Sequence, residues 1–412
     1  MLAMGAEARA AADALRSSTS DQRTRALLAM AREIRAAAKA ILSANAADLA
    51  AARERLTGPE LDRLALTPDR LEGVAAGIEA VAAIKDPVGE EIAHWTRPNG
   101  LDFTRVRTPI GVIGVIYESR PNVTADAAAL TLRSGNAAIL RGGSECLETS
   151  LALHAAIERA LAAEGLPAAA VSMVRTADRA AVGLMLQGLS GAIDLVIPRG
   201  GKSLVARVRE EARVAVLGHL EGLNHVYVHE GADPAIARAV VVNSKMRRVS
   251  VCGAAETLLI DAAIAPSLLP LIAKDLAKAG CTLRGDGRAR ALLPGIEAAT
   301  AQDWTTEYLA PILAVAVVDG MDAACAHIRQ HGSGHTDSII TDDESAAQVF
   351  AETIDSAIVL INASTQFADG GEFGFGAEIG IATDRLHARG PVGAEQLTTF
   401  KYVVRGTGQI RP

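Results

Sequence analysis

The chain has 412 residues, half of them hydrophobic and only 3% aromatic, with a formal net charge of −7. That length exceeds one ordinary core and predicts two or three domains, while apolar residues interspersed with charge exclude a disordered or fibrous chain. The acidic balance excludes the basic surface that nucleic acid needs but leaves room for a local cationic pocket that takes an acidic small molecule.

The alanine-rich N-terminus carries Glu7 and Asp13 and has no secretory apolar core, and no run is long and apolar enough to span a bilayer. A soluble, cytoplasmic protein is expected, with no membrane or nucleic acid partner. Residues 20–56 place Leu27, Leu28, Ile34, Ile41 and Leu42 at helical spacing, with Ser20 as the expected N-cap. A second helix is expected over 68–84. Asn99-Gly100, between two extended stretches, predicts a hairpin over about 95–108.

"IGVIGVIY" (110–117) is a continuous apolar strand, as in a sheet buried on both faces. After it, helix and strand alternate: helix 125–135, strand 136–143, helix 146–164, strand 170–176, helix 178–188 and strand 192–201. A doubly wound parallel sheet follows from that order. "LGHLEGLN" (217–224) has the composition of a crossover into a second block. This block runs through strand 225–229, helix 233–246, strand 256–260, helix 265–279, strand 313–319, helix 321–330 and strands at 337–343 and 356–362.

No GxGxxG, Walker A or GxSxG motif is present; "GFGAEI" (374–379) fails the first at its last position. Two strand ends instead run into glycine turns before a helix. One is Arg141-Gly142-Gly143-Ser144, the other Arg199-Gly200-Gly201-Lys202. Glycines there let backbone N–H groups approach a phosphate, and arginine clamps one. A single such turn is ordinary loop chemistry; two at one sheet edge point to a nucleotide. His327, His331 and His335 have metal-like spacing, but Gly332 and Gly334 break the helix that would align them, so a solvated helix end is the expectation. The polar, glycine-rich stretch 361–380 is long and irregular, which favours a binding loop. The four cysteines (146, 252, 281 and 325) form no CxxC, so neither a zinc knuckle nor a disulfide scaffold is indicated.

Together "TPIGVIGVIYESRPNVTADAAALTLRSGNAAILRGGSE", "IPRGG", "HLEGLNHVYV", "VCGAAETLL", "EYLAPILAV", "SGHTDSIIT" and "NASTQFADGGEFGFGAEIGIATDRLHARGPVG" resemble the aldehyde dehydrogenase superfamily, and within it the γ-glutamyl phosphate reductases of proline biosynthesis. The resemblance implies an α/β aldehyde dehydrogenase-like fold: two doubly wound α/β domains plus a small β oligomerisation element. An NADP-binding domain would cover 1–217 and a catalytic domain 218–380. Residues 381–412 would supply a C-terminal return and an oligomerisation strand, completed by the hairpin at 95–108. It implies NADP(H)-dependent reduction of glutamyl phosphate to glutamate 5-semialdehyde and phosphate through a cysteine thioester, in a homo-oligomer (dimer or tetramer) coupled to the kinase that makes the acyl phosphate.

By the same resemblance Cys252 is the nucleophile, with Arg247 and Arg248 just upstream as candidates to favour its thiolate. Asn122 stabilises the oxyanion. Arg141, Gly142, Gly143, Ser144, Arg199, Gly200, Gly201 and Glu307 hold the cofactor; Asn362, Ser364 and Thr365 hold the substrate. No metal is expected. Three departures from the family pattern stand out: Gln366 where arginine is expected, Asn224 where cysteine is expected before His225, and Gly253 where asparagine is expected after Cys252. Where hydrolytic relatives carry a glutamate base, His219 stands in this chain. A coenzyme A-dependent acylating dehydrogenase and a non-catalytic binding protein of the same fold are the competing readings. The former would prefer acyl-CoA to glutamyl phosphate; the latter would have an unreactive Cys252.

Overall fold

The computed structural model describes residues 1–411. The chain forms two compact units. The first comprises Met1–Gly218, Gly374–Gly380 and Val392–Pro412, the second His219–Phe373 and Ile381–Pro391. The stretch 381–412, expected as one return segment, is therefore divided between them.

The first unit opens with helices Leu2–Arg16, Ser20–Ala36 and Ala38–Ala52. The helix expected over 20–56 breaks at Ala37, and its cap is Thr19, whose hydroxyl accepts from the Gln22 N–H; Ser20 is already helical. Helix Pro68–Ala83 stands where its pattern placed it, with Thr67 as cap. The Asn-Gly hairpin joins β1 (Glu91–Thr96) and β2 (Asp102–Pro109), antiparallel, with Gly100 at φ 82°.

The main sheet of this unit contains β3 (Val112–Tyr117), β4 (Ala137–Arg141), β5 (Val171–Met173), β6 (Leu195–Arg199) and β7 (Ala215–Val216). All its pairs are parallel, in the order β5-β4-β3-β6-β7. β3 and β4 are buried along their whole length, which explains their unbroken apolar sequence. The order reverses beside β3, so the turns after β3, β4 and β6 share one edge, with Ile116 opposite Arg141 and Tyr117 opposite Arg199.

The second unit holds β8 (Asn224–Val228), β9 (Ala255–Asp261), β10 (Thr282–Gly285), β11 (Glu297–Ala298), β12 (Ile312–Val318), β13 (Thr336–Ile340) and β14 (Ile358–Ile361). They too are all parallel, in the order β11-β10-β12-β9-β8-β13-β14. Val226, Leu258, Ile260, Leu269, Ile272, Leu313 and Val315 form one face of its core, and Tyr227, Leu259, Ile328, Ile339 and Phe350 the other. Phe350 belongs to helix Glu344–Thr353, which the sequence reading passed over; Asp343 caps it by accepting from the Ser345 and Ala346 N–H groups.

A short pair, β15 (Ile381–Ala382) and β16 (Gly390–Pro391), belongs to the second unit. β17 (Thr398–Arg405) returns to the first and pairs along the whole of β2, antiparallel. Phe400, Tyr402 and Val404 on β17 are exposed. Among the described residues no helix is long and apolar enough to cross a membrane.

Candidate active site

Cys252 lies in the tight turn between helix Pro234–Met246 and β9, half-buried against Ile358, Ala368 and Ile381. The other three cysteines are buried, and burial pushes the Cys146 thiol up to about 12 and that of Cys281 to about 11. Among the four thiols, Cys252 alone is accessible, and a reagent must reach a thiolate to react with it. The Arg247 and Arg248 side chains are exposed. Arg247 lines a surface groove with Arg238, Asn243 and Asp275.

The turn carrying Cys252 is clamped from β8. Asn224, fully buried, donates from Nδ2 to the carbonyls of Cys252 (2.6 Å) and Ala254 (2.9 Å), while its Oδ1 accepts from the Thr336 N–H (3.2 Å). This departure from the family pattern thus links three backbone segments. Gly222 makes the close approach possible: a Cβ there would lie 2.0 Å from the Cys252 carbonyl oxygen. Its N–H donates to Glu307 Oε1 at 2.9 Å, which brings that carboxylate to the same loop.

Two histidines complete the setting. His219 and His335 stack edge to face, 4.8 Å between centroids, and their ring nitrogens and the Cys252 sulfur lie within 4.8 Å of one another. His219 Nδ1–H donates to the Ile381 carbonyl (2.8 Å). His335 is fully buried, with Nδ1 hydrogen-bonded to Thr336 Oγ1 (2.8 Å). The loop after Gly332 and Gly334 was expected to bring His335 near a site, and it does so beside Cys252, apart from the helix that carries His327 and His331. The helix does end at His331, before Gly332, and His331 is partly exposed there, but His327 is not solvated. The His327 ring is half-buried, packed on Trp304, His225 and His331, and burial lowers its pKa to about 3, aided by the neighbouring histidines.

The substrate-loop candidates separate. Asn362, at φ 54°, uses its whole amide on the Thr341 backbone, accepting from N–H and donating to C=O. Ser364 caps the short turn Thr365–Phe367 and bonds Ser244 Oγ. Thr365 is buried, with Oγ1 lacking a partner. Gln366, the second departure, donates to the carbonyls of Ser244 and Arg248, tying this turn to the end of the helix before Cys252. At the third departure, a Cβ on Gly253 would stand 3.1 Å from the Thr365 carbonyl, closer than ordinary contact.

In the first unit both glycine turns lie at the C-terminal edge of the sheet, where open α/β sheets bind ligands. Arg141 is buried, donates to the Ala177 carbonyl (3.1 Å) and leaves Nε without a partner; Arg199 Nε is likewise unpartnered. A Cβ on Gly142 would meet the Tyr117 ring at 3.1 Å, and one on Gly143 would meet Glu145 Oε1 at 2.1 Å. Ser144 is exposed. Two carboxylates that the sequence reading missed occupy this edge. Glu118 accepts the Gly201 N–H (2.9 Å) and Glu145 the Ser119 N–H (2.7 Å). N–H groups at a helix start attract anions, and here side chains supply them. Asn122 opens helix Val123–Arg133, and its Nδ2 donates to Asp126 Oδ2 at 2.9 Å. Burial pushes the Asp126 carboxyl up to about 6, against the opposing pull of Asn122 and Arg199.

Residues 2–288 match the model of the aldehyde dehydrogenase family. The chain is 70% identical over 413 residues to the gamma-glutamyl phosphate reductase of Caulobacter vibrioides, covering both sequences fully. It is 64% identical over 413 residues to that of Hyphomonas neptunium, covering 100% of this chain and 96% of the relative. The gamma-glutamyl phosphate reductase of Thermotoga maritima superimposes with a TM-score of 0.97 at 44% identity, over 100% of this chain and 99% of the other. An acetylating aldehyde dehydrogenase of Geobacillus thermoglucosidasius shares the fold, with a TM-score of 0.69 at 17% identity. Full-length identity at this level, together with the parallel sheets and the clamped cysteine turn, makes the chain a member of the gamma-glutamyl phosphate reductase family within the aldehyde dehydrogenases.

Proposed function

We propose that the chain reduces glutamyl 5-phosphate to glutamate 5-semialdehyde and phosphate, the second step from glutamate to proline, with Cys252 as nucleophile. The accessible thiol on an immobilised turn, with two histidines in its cluster, is the observation that carries this reading. The Cys252 thiolate attacks the acyl carbon and phosphate leaves with the bonding pair, giving a thioester. The Asn122 amide serves as oxyanion donor, and Asp126 orients it through their hydrogen bond. After reduction the thiohemiacetal collapses, returning the thiolate and releasing the aldehyde.

A nicotinamide cofactor, when bound, supplies the hydride for that reduction. The residues present suit one: two arginines with unpartnered buried Nε atoms, and glycine turns at the sheet edge that a Cβ would obstruct. Arg141, Gly142, Gly143, Ser144, Arg199, Gly200 and Gly201 would hold it, with Glu307 toward the ribose. We assign the phosphorylated cofactor, NADP(H), because a buried guanidinium at this edge gains charge-assisted bonds from a 2′-phosphate. Asn362 is given up as a substrate contact in favour of anchoring Thr341, while Ser364 and Thr365 remain near the cysteine turn through Ser244 and Gly253.

A thioester awaiting hydride must be kept from water, and a carboxylate base beside it would activate that water. His219 stands in this cluster instead. Semialdehyde oxidation should therefore require phosphate, or arsenate in its place, and His219→Glu should introduce phosphate-independent release of glutamate. Equal oxidation by the unmodified chain without phosphate would make it a hydrolytic dehydrogenase.

A further inference from the structure

Cys252, His219 and His335 together have the chemistry of a metal site as well as of a nucleophile's setting. His335 is 0% exposed, yet its Nε2 has no hydrogen-bond partner. A buried polar atom left this way costs about 1–3 kcal/mol, so it calls for a ligand. Its Nδ1 bonds Thr336 Oγ1, and His219 Nδ1–H bonds the Ile381 carbonyl. Second-layer bonds of this kind hold metal-binding histidines in orientation, and with Nδ1 donating to Thr336 the His335 ring presents an Nε2 lone pair to an ion.

We propose that these three residues bind a thiophilic divalent cation, with zinc the best fit, and that the ion reversibly blocks the nucleophile; the blocking rests on the catalytic reading of Cys252, the binding does not. One thiolate and two imidazoles select zinc-like ions over magnesium or calcium, which take oxygen ligands. Zn–S of about 2.3 Å and Zn–N of about 2.1 Å require ligand atoms about 3.4–3.6 Å apart. The three atoms lie within 4.8 Å of one another, so closure takes movements of about an ångström. Cys252 is half-buried, so the ion has access, and a fourth position stays open for water. On binding, the thiol gives its proton to solvent and the thiolate becomes the ligand, with no change of oxidation state.

The full chain, without substrate or cofactor, is titrated with Co²⁺ alone and then with Zn²⁺. Iodoacetamide modification of Cys252 is followed by peptide mapping. Co²⁺ should give a thiolate charge-transfer band and tetrahedral visible bands, both displaced by Zn²⁺ and absent in Cys252→Ser. At zinc about tenfold above its Kd, alkylation should slow about tenfold, because only the metal-free fraction reacts. His335→Gln and His219→Gln, each checked for native circular dichroism, should lose most of that protection; His219→Gln serves if His335→Gln does not fold. Equal protection in the folded variants would mean a thiol binding metal by itself and would overturn the site, as would a Co²⁺ spectrum unchanged by Cys252→Ser. Turnover retained by Cys252→Ser would remove the catalytic reading while leaving both metal readouts intact, so the two failures are told apart.

Discussion

Asn224→Ala tests whether the Cys252 turn is held from β8. Asn224 is fully buried and serves the Cys252 and Ala254 carbonyls and the Thr336 N–H. Alanine leaves the Ala254 and Thr336 groups buried without partners, at about 1–3 kcal/mol each; the Cys252 carbonyl, partly open to water, adds less. The expected loss is about 3–5 kcal/mol in the second unit. Trp95 belongs to the first unit and Trp304 to the second, so Trp95→Phe leaves Trp304 as sole fluorescent reporter of the second. With a slope of about 2 kcal/mol/M, the urea midpoint read at Trp304 should fall by about 1.5–2.5 M. Alkylation of Cys252 should change rate in the same variant, because its backbone anchor is gone. A midpoint shift below about 0.3 M, with unchanged alkylation, would show that Asn224 does not hold the turn.

Gly222→Ala places a Cβ 2.0 Å from the Cys252 carbonyl oxygen. Displacing the turn by about an ångström should cut kcat about a hundredfold, with smaller change in KM, measured by steady-state reduction of glutamyl phosphate. Asp126 titrates at about 6 when folded. Its ordinary value is about 3.9, so the folded state holds the proton more tightly and wild-type stability falls as pH rises from about 4 to 6. Asp126→Asn should therefore be more stable than wild type by about 1–2 kcal/mol at pH 7 and equal to it near pH 3.5, by urea unfolding at each pH; a difference independent of pH would refute the assignment. Arg141→Ala should raise KM for NADPH far more than for NADH, and equal effects would place Arg141 on the shared pyrophosphate or nowhere near the cofactor.

Features set by near neighbours in the chain were legible in the sequence. Unbroken apolar runs such as 112–117 mark strands covered on both faces, Asn99-Gly100 suits the positive φ of a hairpin, and glycines after β4 and β6 mark where backbone must come close. Boundaries failed where signals competed. Ser20 and Thr19 both suit a cap, and the Asp342-Asp343 pair reads as easily as the end of a strand as the start of the helix that follows. Cys252 was singled out by resemblance, because its flanking residues repeat a known pattern. Its surroundings were not, because they come from distant parts of the chain. Asn224 reaches the Cys252 and Ala254 carbonyls across adjacent strands, His335 arrives on the loop before β13, and His219 is held by the Ile381 carbonyl. Glu118 meets the Gly201 N–H across two parallel strand ends. Parallel pairing aligns strand ends that are far apart in sequence, and no local pattern encodes which side chains then meet; packing of the sheet decided that.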